Sequence, residues 1–256
     1  MNRPPLFAGR YYFPDEGRLR AGVMSFIEDA TVIRAAGDLV ALIVPHGPLM
    51  DMGPIAGHAY KMLLTTPLRW DMTTLLAPTQ HEATQLLCDA RDAYDTPMDA
   101  LRIDRDAVNG LRAAGVAIAD DEDDGPVIEC HAPFVLSALG DVPALPLRVP
   151  LQCDVAAIKA HTAQFGFVIA AANLPAGNES SACDAIARLD VDFFAGASQP
   201  KRRGFSSLFA GKSVPLEKSA DNAVFALALA LAKSNCATRG AVLLHKGAYV
   251  AAALYR

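Results

Sequence analysis

The sequence predicts an α/β fold, a single three-layer domain with a mainly parallel central sheet. Three observations carry that expectation. Leu39–Val44 is an unbroken apolar run rich in Val and Ile, too short for a helix and stopped by Pro45, as a strand buried on both faces reads. Residues 72–77 repeat the pattern and are stopped by Pro78. Between the two runs, Ile55, His58, Ala59, Met62 and Leu63 recur at helical spacing, with Gly53 and Pro54 as the expected start. Strand, helix, strand in succession implies parallel neighbours joined by a right-handed crossover, with both carboxyl ends on one side. Ligands of open parallel sheets bind on that side.

The remaining elements follow from the same signals. Leu19, Val23, Phe26 and Ile27 place one apolar stripe on a helix over 15–29. Later strands are expected at 145–149, 165–171, 240–244 and 249–254. Asp154 is an expected N-cap for a helix through 163, Ser181 starts one reaching 189, and 222–233 is the most apolar helix. The acidic run 120–124, closed by Gly125 and Pro126, reads as a solvated loop. There is no internal repeat and no Pro/Gly/Ser linker to divide the chain, so one domain over 1–256 is expected.

Composition narrows the function classes. With 52% hydrophobic and 20% charged residues, the chain has ample material for a buried core. A net charge of -5 and a pI near 5.6 argue against a nucleic-acid partner. Lys201, Arg202 and Arg203 form the one dense basic cluster, read as part of a surface loop with an anion site as the minority reading. Cysteines at 88, 130, 153, 183 and 236 include no Cys-x-x-Cys pair, which indicates neither a disulfide framework nor a zinc ribbon and fits reduced thiols in a cytoplasm. The first residues lack a signal-peptide core, and the apolar stretch 223–232 is too short to span a bilayer, so no membrane association is expected. A homodimer is the default assembly.

Several segments together resemble the Memo family. Residues 7–15, Phe-Ala-Gly-Arg-Tyr-Tyr-Phe-Pro-Asp, look like its Ala-Gly-Arg-Phe-Tyr-Pro opening. Residues 41–47 resemble its Pro-His-Ala-Gly-Tyr strand end, and 53–60, Gly-Pro-Ile-Ala-Gly-His-Ala-Tyr, are similar to the helix that follows. Residues 76–81 stand where the family has Gly-Pro-Ser-His, 94–104 match its Thr-Pro-Leu segment and following Asp, and 128–134 match a Glu-x-x-Leu-Pro-Phe segment read as a strand. The resemblance is recognisable over about 4–150 and implies a fold similar to class III extradiol dioxygenases, which hold non-haem iron at the carboxyl edge of the sheet.

The family site would use a His after each of the first two strands and a third ligand from near the C-terminus, leaving positions open for substrate. Here the first is His46. Residue-by-residue matching puts Gln80 on the second and leaves His81 one position later, on the other face of an extended segment. Gly125-Pro-Val127 replaces a Glu-His-Ser, 171–176 replace the segment that carries an acid/base His and leave Asn173 there, and the family's Cys falls near Asp221. The cleft candidates are therefore His46, Gln80, His81, Glu129, His131 and Asn173, and the rearranged metal set is His46, His81 and Asp221. Glu129 and His131 would share one strand face, either as an acid/base pair or as a half-exposed polar face. Asp221 would supply the carboxylate or simply cap the helix after it. His58 is expected to be structural and hydrogen-bonded, Cys130 and Cys236 to be core residues.

Two functions follow from the resemblance and its gaps. The first is a binding or interaction protein with a degenerate metal site and no cofactor, its partner a small molecule or a protein. The second is a non-haem oxidoreductase with Fe, Cu or Zn on the rearranged ligands.

Overall fold

The computed structural model describes residues 1–33, 35–79, 81–121, 125–195 and 218–256. In chain order these form α1 (Glu16–Asp29), β1 (Leu39–Val44), α2 (Leu49–Thr65), β2 (Thr73–Pro78), β3 (Leu86–Asp89), β4 (Ala93–Asp95), β5 (Ala100–Arg102), α3 (Arg105–Ala113), β6 (Ile118–Asp121) and α4 (Pro126–Leu139). There follow β7 (Ala144–Val149), α5 (Val155–Lys159), β8 (Phe167–Ala171), α6 (Glu179–Ala187), α7 (Val191–Ala195), α8 (Ala220–Ser234), β9 (Arg239–Lys246) and β10 (Tyr249–Tyr255). The main sheet has the order β6-β3-β7-β2-β8-β1-β10-β9, and β4 pairs with β5 apart from it.

The four strands at the centre, β7, β2, β8 and β1, are mutually parallel. They carry the apolar runs, and β1, β7 and β8 are buried at every position, because helices cover both faces. The flanks are antiparallel: β10 pairs with β1, β9 forms a hairpin with β10, and β3 meets β7 in the opposite sense. On one face α2 and α4 lie on the strands with α1 over them; on the other lies α8, flanked by α5 and α7. No helix among the described residues is long and apolar enough to cross a membrane.

Four expectations change. The strands β1 and β2 are parallel but not adjacent, since β8, from much later in the chain, inserts between them. Residues 128–134 are helix α4, not a strand; Pro126 occupies the first turn, where its missing N–H is harmless, and Ile128, Cys130, Ala132 and Phe134 alternate only because this helix is buried nearly all round. The acidic run is not wholly a loop: Asp120 and Asp121 end β6, and buried Asp121 pairs with buried Arg148 of β7. Finally, α2 begins at Leu49, with Pro54 inside its first turns rather than at its start.

The contact between α1 and α2 depends on glycine. A Cβ on Gly57 would stand 2.1 Å from the Phe26 carbonyl oxygen, and one on Gly53 would stand 2.5 Å from the Phe26 ring. Gly57→Ala is therefore expected to force the helices apart and destabilise the protein by about 1–3 kcal/mol. Urea unfolding of the variant would show it as a lowered midpoint with an unchanged slope.

Candidate functional site

The carboxyl ends of β1 and β8 lie side by side, and the residues just beyond them form the site. His46 follows Pro45 at the end of β1, and Asn173 lies two residues past β8. Their groups interlock: the His46 amide donates to Asn173 Oδ1 at 3.1 Å, and Asn173 Nδ2 donates to the His46 carbonyl at 3.0 Å. This pairing satisfies backbone groups that the sheet leaves open where its strands end.

The third member arrives from the first turn of α8. Asp221 Oδ1 accepts from the Asn173 amide at 2.8 Å and is 2.8 Å from His46 Nε2. A carboxylate accepts only, so Nε2 carries the proton of that bond. The imidazole is held by Asp221 while its other nitrogen, Nδ1, has no hydrogen-bond partner among the described residues. His46 and Asp221 are partly open to solvent, with side-chain exposures of 22% and 27%. The expectation that Asp221 caps its own helix is corrected: Ser219 is the N-cap, accepting from the Asn222 amide, and Asp221 is left to reach the strand tips.

Beneath this tip sits His131 of α4, fully buried. Its Nε2 is 3.0 Å from the Pro45 carbonyl, and its Nδ1 is 3.0 Å from the Tyr60 hydroxyl. A carbonyl accepts only, so Nε2 donates and Tyr60 donates to Nδ1, which fixes the neutral tautomer. Burial, aided by the nearby His46, pushes the His131 imidazole down to about 3. The same burial pushes the Tyr60 hydroxyl up. His131 therefore holds the chain immediately before His46.

Glu129 has a different task. Completely buried, it accepts from the Tyr12 hydroxyl at 2.6 Å and the Phe7 amide at 2.7 Å through Oε1, and its Oε2 is 3.7 Å from Arg3 Nε. It ties the N-terminal segment to α4. The Tyr12 hydroxyl is pushed up by burial and by its bond to Glu129. Glu129 and His131 are thus neither a half-exposed polar face nor an acid/base pair; they belong to separate networks on a helix.

His81 is not brought into this arrangement. Its amide donates to Thr79 Oγ1 at 3.1 Å, and its side chain lines an open hollow of about 960 Å³ with Thr79, Gln152, Lys218, Ser219 and Ala220. The topology gives the reason: with β8 between β1 and β2, the tips that carry the two histidines are two strand spacings apart, roughly 9.5 Å. No group of three or more His, Cys, Asp or Glu placed to hold a metal ion occurs among the described residues. Two of the candidate donors, His46 and Asp221, converge and bond to one another. Gln80 and the cluster Lys201, Arg202 and Arg203 lie outside the described residues.

His58 is on α2 as expected, but its buried Nδ1 has no hydrogen-bond partner among the described residues. Cys130 is a core residue, whereas Cys236 is exposed. One residue of the site was missed: Tyr249, at the start of β10, puts its hydroxyl 3.1 Å from where a Cβ on Gly47 would stand. The β9–β10 turn is tied to this edge by a hydrogen bond that the Leu174 amide donates to the Ala248 carbonyl at 2.7 Å. Only the strand order, which places β10 beside β1, could have revealed it.

Part of the chain is similar to known proteins. The profile described as Memo-like protein matches residues 3–164. A MEMO1 family protein of Methanococcoides burtonii is 24% identical over 161 residues, covering 61% of this chain and 58% of that protein. The match thus spans less than two thirds of the relative's length, and His46, Glu129 and His131 lie within the matched profile while Asn173, Asp221 and Tyr249 lie beyond it.

Buried His131 makes stability depend on pH. The unfolded chain takes up a proton near 6.5, whereas the folded protein resists until about 3, so between these values the unfolded state holds more protons and stability falls as pH falls. The loss is about 1.4 kcal/mol per pH unit, giving about 2 kcal/mol between neutrality and pH ~5. In urea unfolding at those two conditions, His131→Gln should flatten this part of the dependence, because the amide can still donate to the Pro45 carbonyl but does not titrate.

Proposed function

We propose that this chain, which belongs to the Memo-like family, is a binding protein with a degenerate metal site, taking a small molecule at the tip of β1 without a resident cofactor. The observation that supports this reading is the 2.8 Å bond between His46 Nε2 and Asp221 Oδ1. A cation at that point would have to break it, losing a charge-assisted hydrogen bond, and would find two protein donors where a stable site needs three or four. The neighbouring tip groups are already committed to each other through Asn173.

One observation favours the alternative of a metal-dependent oxidoreductase. His81 and the start of α8, at Ser219 and Ala220, line the same hollow, so the element that carries Asp221 borders the space beside His81. In that reading the ion draws Asp221 off His46 and recruits His81.

Metal analysis of protein purified without a polyhistidine tag separates the two. The binding-protein reading predicts trace metal only, no loss of thermal stability with chelator, and no stabilisation by added Fe(II), Cu(II) or Zn(II). Near-stoichiometric metal that is lost in both His46→Ala and His81→Ala would establish the alternative.

A further inference from the structure

The open hollow of about 960 Å³ beyond the tips of β2 and β7 is at the upper end of the roughly 300–1,000 Å³ usual for small-molecule sites. Two hydroxyls that border it have a proton still to give. Thr79, just past β2, is only 3% exposed; its Oγ1 accepts from the His81 amide at 3.1 Å and donates to no group among the described residues. Ser219, the N-cap of α8, repeats the pattern: its Oγ accepts from the Asn222 amide at 3.2 Å and donates to none of the described residues. A hydroxyl that accepts from a fixed backbone amide is held in place, and its own O–H is strengthened as a donor. Lys218, next to Ser219, borders the same space and forms no ion pair among the described residues.

From these three donors on one hollow we propose a binding site for the carboxylate of a polar organic acid, whether or not the tip of β1 holds a ligand of its own. An ionised carboxylate accepts only, and its two oxygens have room for two hydroxyls and an ammonium together. The start of α8, a helix of 15 residues, places the positive end of its dipole beside the same donors. Glu82 also lines the hollow and offsets the charge of Lys218, which favours a singly charged head over a doubly charged phosphate. The hollow is far larger than a carboxylate, and Gln85 and Gln152 line it as well. Their amides both donate and accept, so the body of the acid carries hydroxyl or amide groups rather than a bare hydrocarbon chain.

The test is calorimetric titration of the full chain with gluconate as the probe, with EDTA present throughout so that no cation bridges protein and acid. Gluconate is expected to bind saturably, while sorbitol, which lacks the carboxylate, and hexanoate, which lacks the hydroxyls, each bind at least ~10-fold more weakly. Lys218→Gln and Thr79→Val should each weaken gluconate binding ~10-fold, whereas Thr79→Ser, which keeps the hydroxyl, should retain it. Lys218 is exposed, so its replacement reads out binding even where Thr79→Val disturbs the fold. Absence of saturable heat with gluconate, equal affinity for sorbitol, or undiminished affinity in Lys218→Gln overturns the site. Tighter binding of inorganic phosphate than of gluconate overturns the assignment of a singly charged head, and equal binding of hexanoate overturns that of a polar body.

Discussion

One carboxylate oxygen, Asp221 Oδ1, joins three elements that are far apart in the sequence. It accepts from the ring of His46 at the end of β1 and from the amide of Asn173 beyond β8, and it belongs to the first turn of α8. Hydrogen bonds to an ionised acceptor are roughly twice as strong as neutral ones, and two on the same oxygen fix where the helix begins relative to the strands. The apolar body of α8, from Val224 to Ala232, is buried on the sheet by a force that has no direction. The position of the helix along the strands must therefore come from directional contacts, and Asp221 supplies them at the same place where it restrains His46.

The opposite face supports the tip in a complementary way. His131 binds the Pro45 carbonyl from below, and Glu129, two residues closer to the start of α4, binds the Phe7 amide and the Tyr12 hydroxyl. Both side chains are completely buried. A buried carboxyl group needs donors around it, and Glu129 has two hydrogen bonds on Oε1 and the guanidinium of Arg3 at 3.7 Å from Oε2. The N-terminal segment, α4, β1, β8 and α8 are thus coupled through polar contacts at one edge. Such an edge presents a side chain in a fixed orientation, which a small-molecule site requires.

Strands buried on both faces were legible because continuous apolar runs ended by proline leave few alternatives. Leu39–Val44 was read to the residue, and the runs ending at Val149, Ala171 and Tyr255 were found to within two residues. Asp15 and Asp154 were recognised as helix starts, and both side chains accept from an amide three residues on. What failed has physical causes. In α4 a buried helix mimicked alternation, since a helix without a solvent face loses its period of 3.6. The short strands β3 to β6 gave no pattern long enough to read. His46, Asn173 and Asp221 were each named as candidates, but their mutual bonds depend on β8 lying next to β1, a long-range pairing that local sequence does not encode. The same missing information hid Tyr249 and kept the separation of His81 from His46 out of view.

In the binding-protein reading proposed above, His46 is held by Asp221 and not by an ion. Diffraction from crystals of the protein grown with zinc, recorded across the zinc absorption edge, addresses it directly. The account predicts no anomalous peak at the tip of β1 and His46 Nε2 within hydrogen-bond distance of Asp221. A peak there, coordinated by His46 and two or more other side chains of this chain, would contradict it.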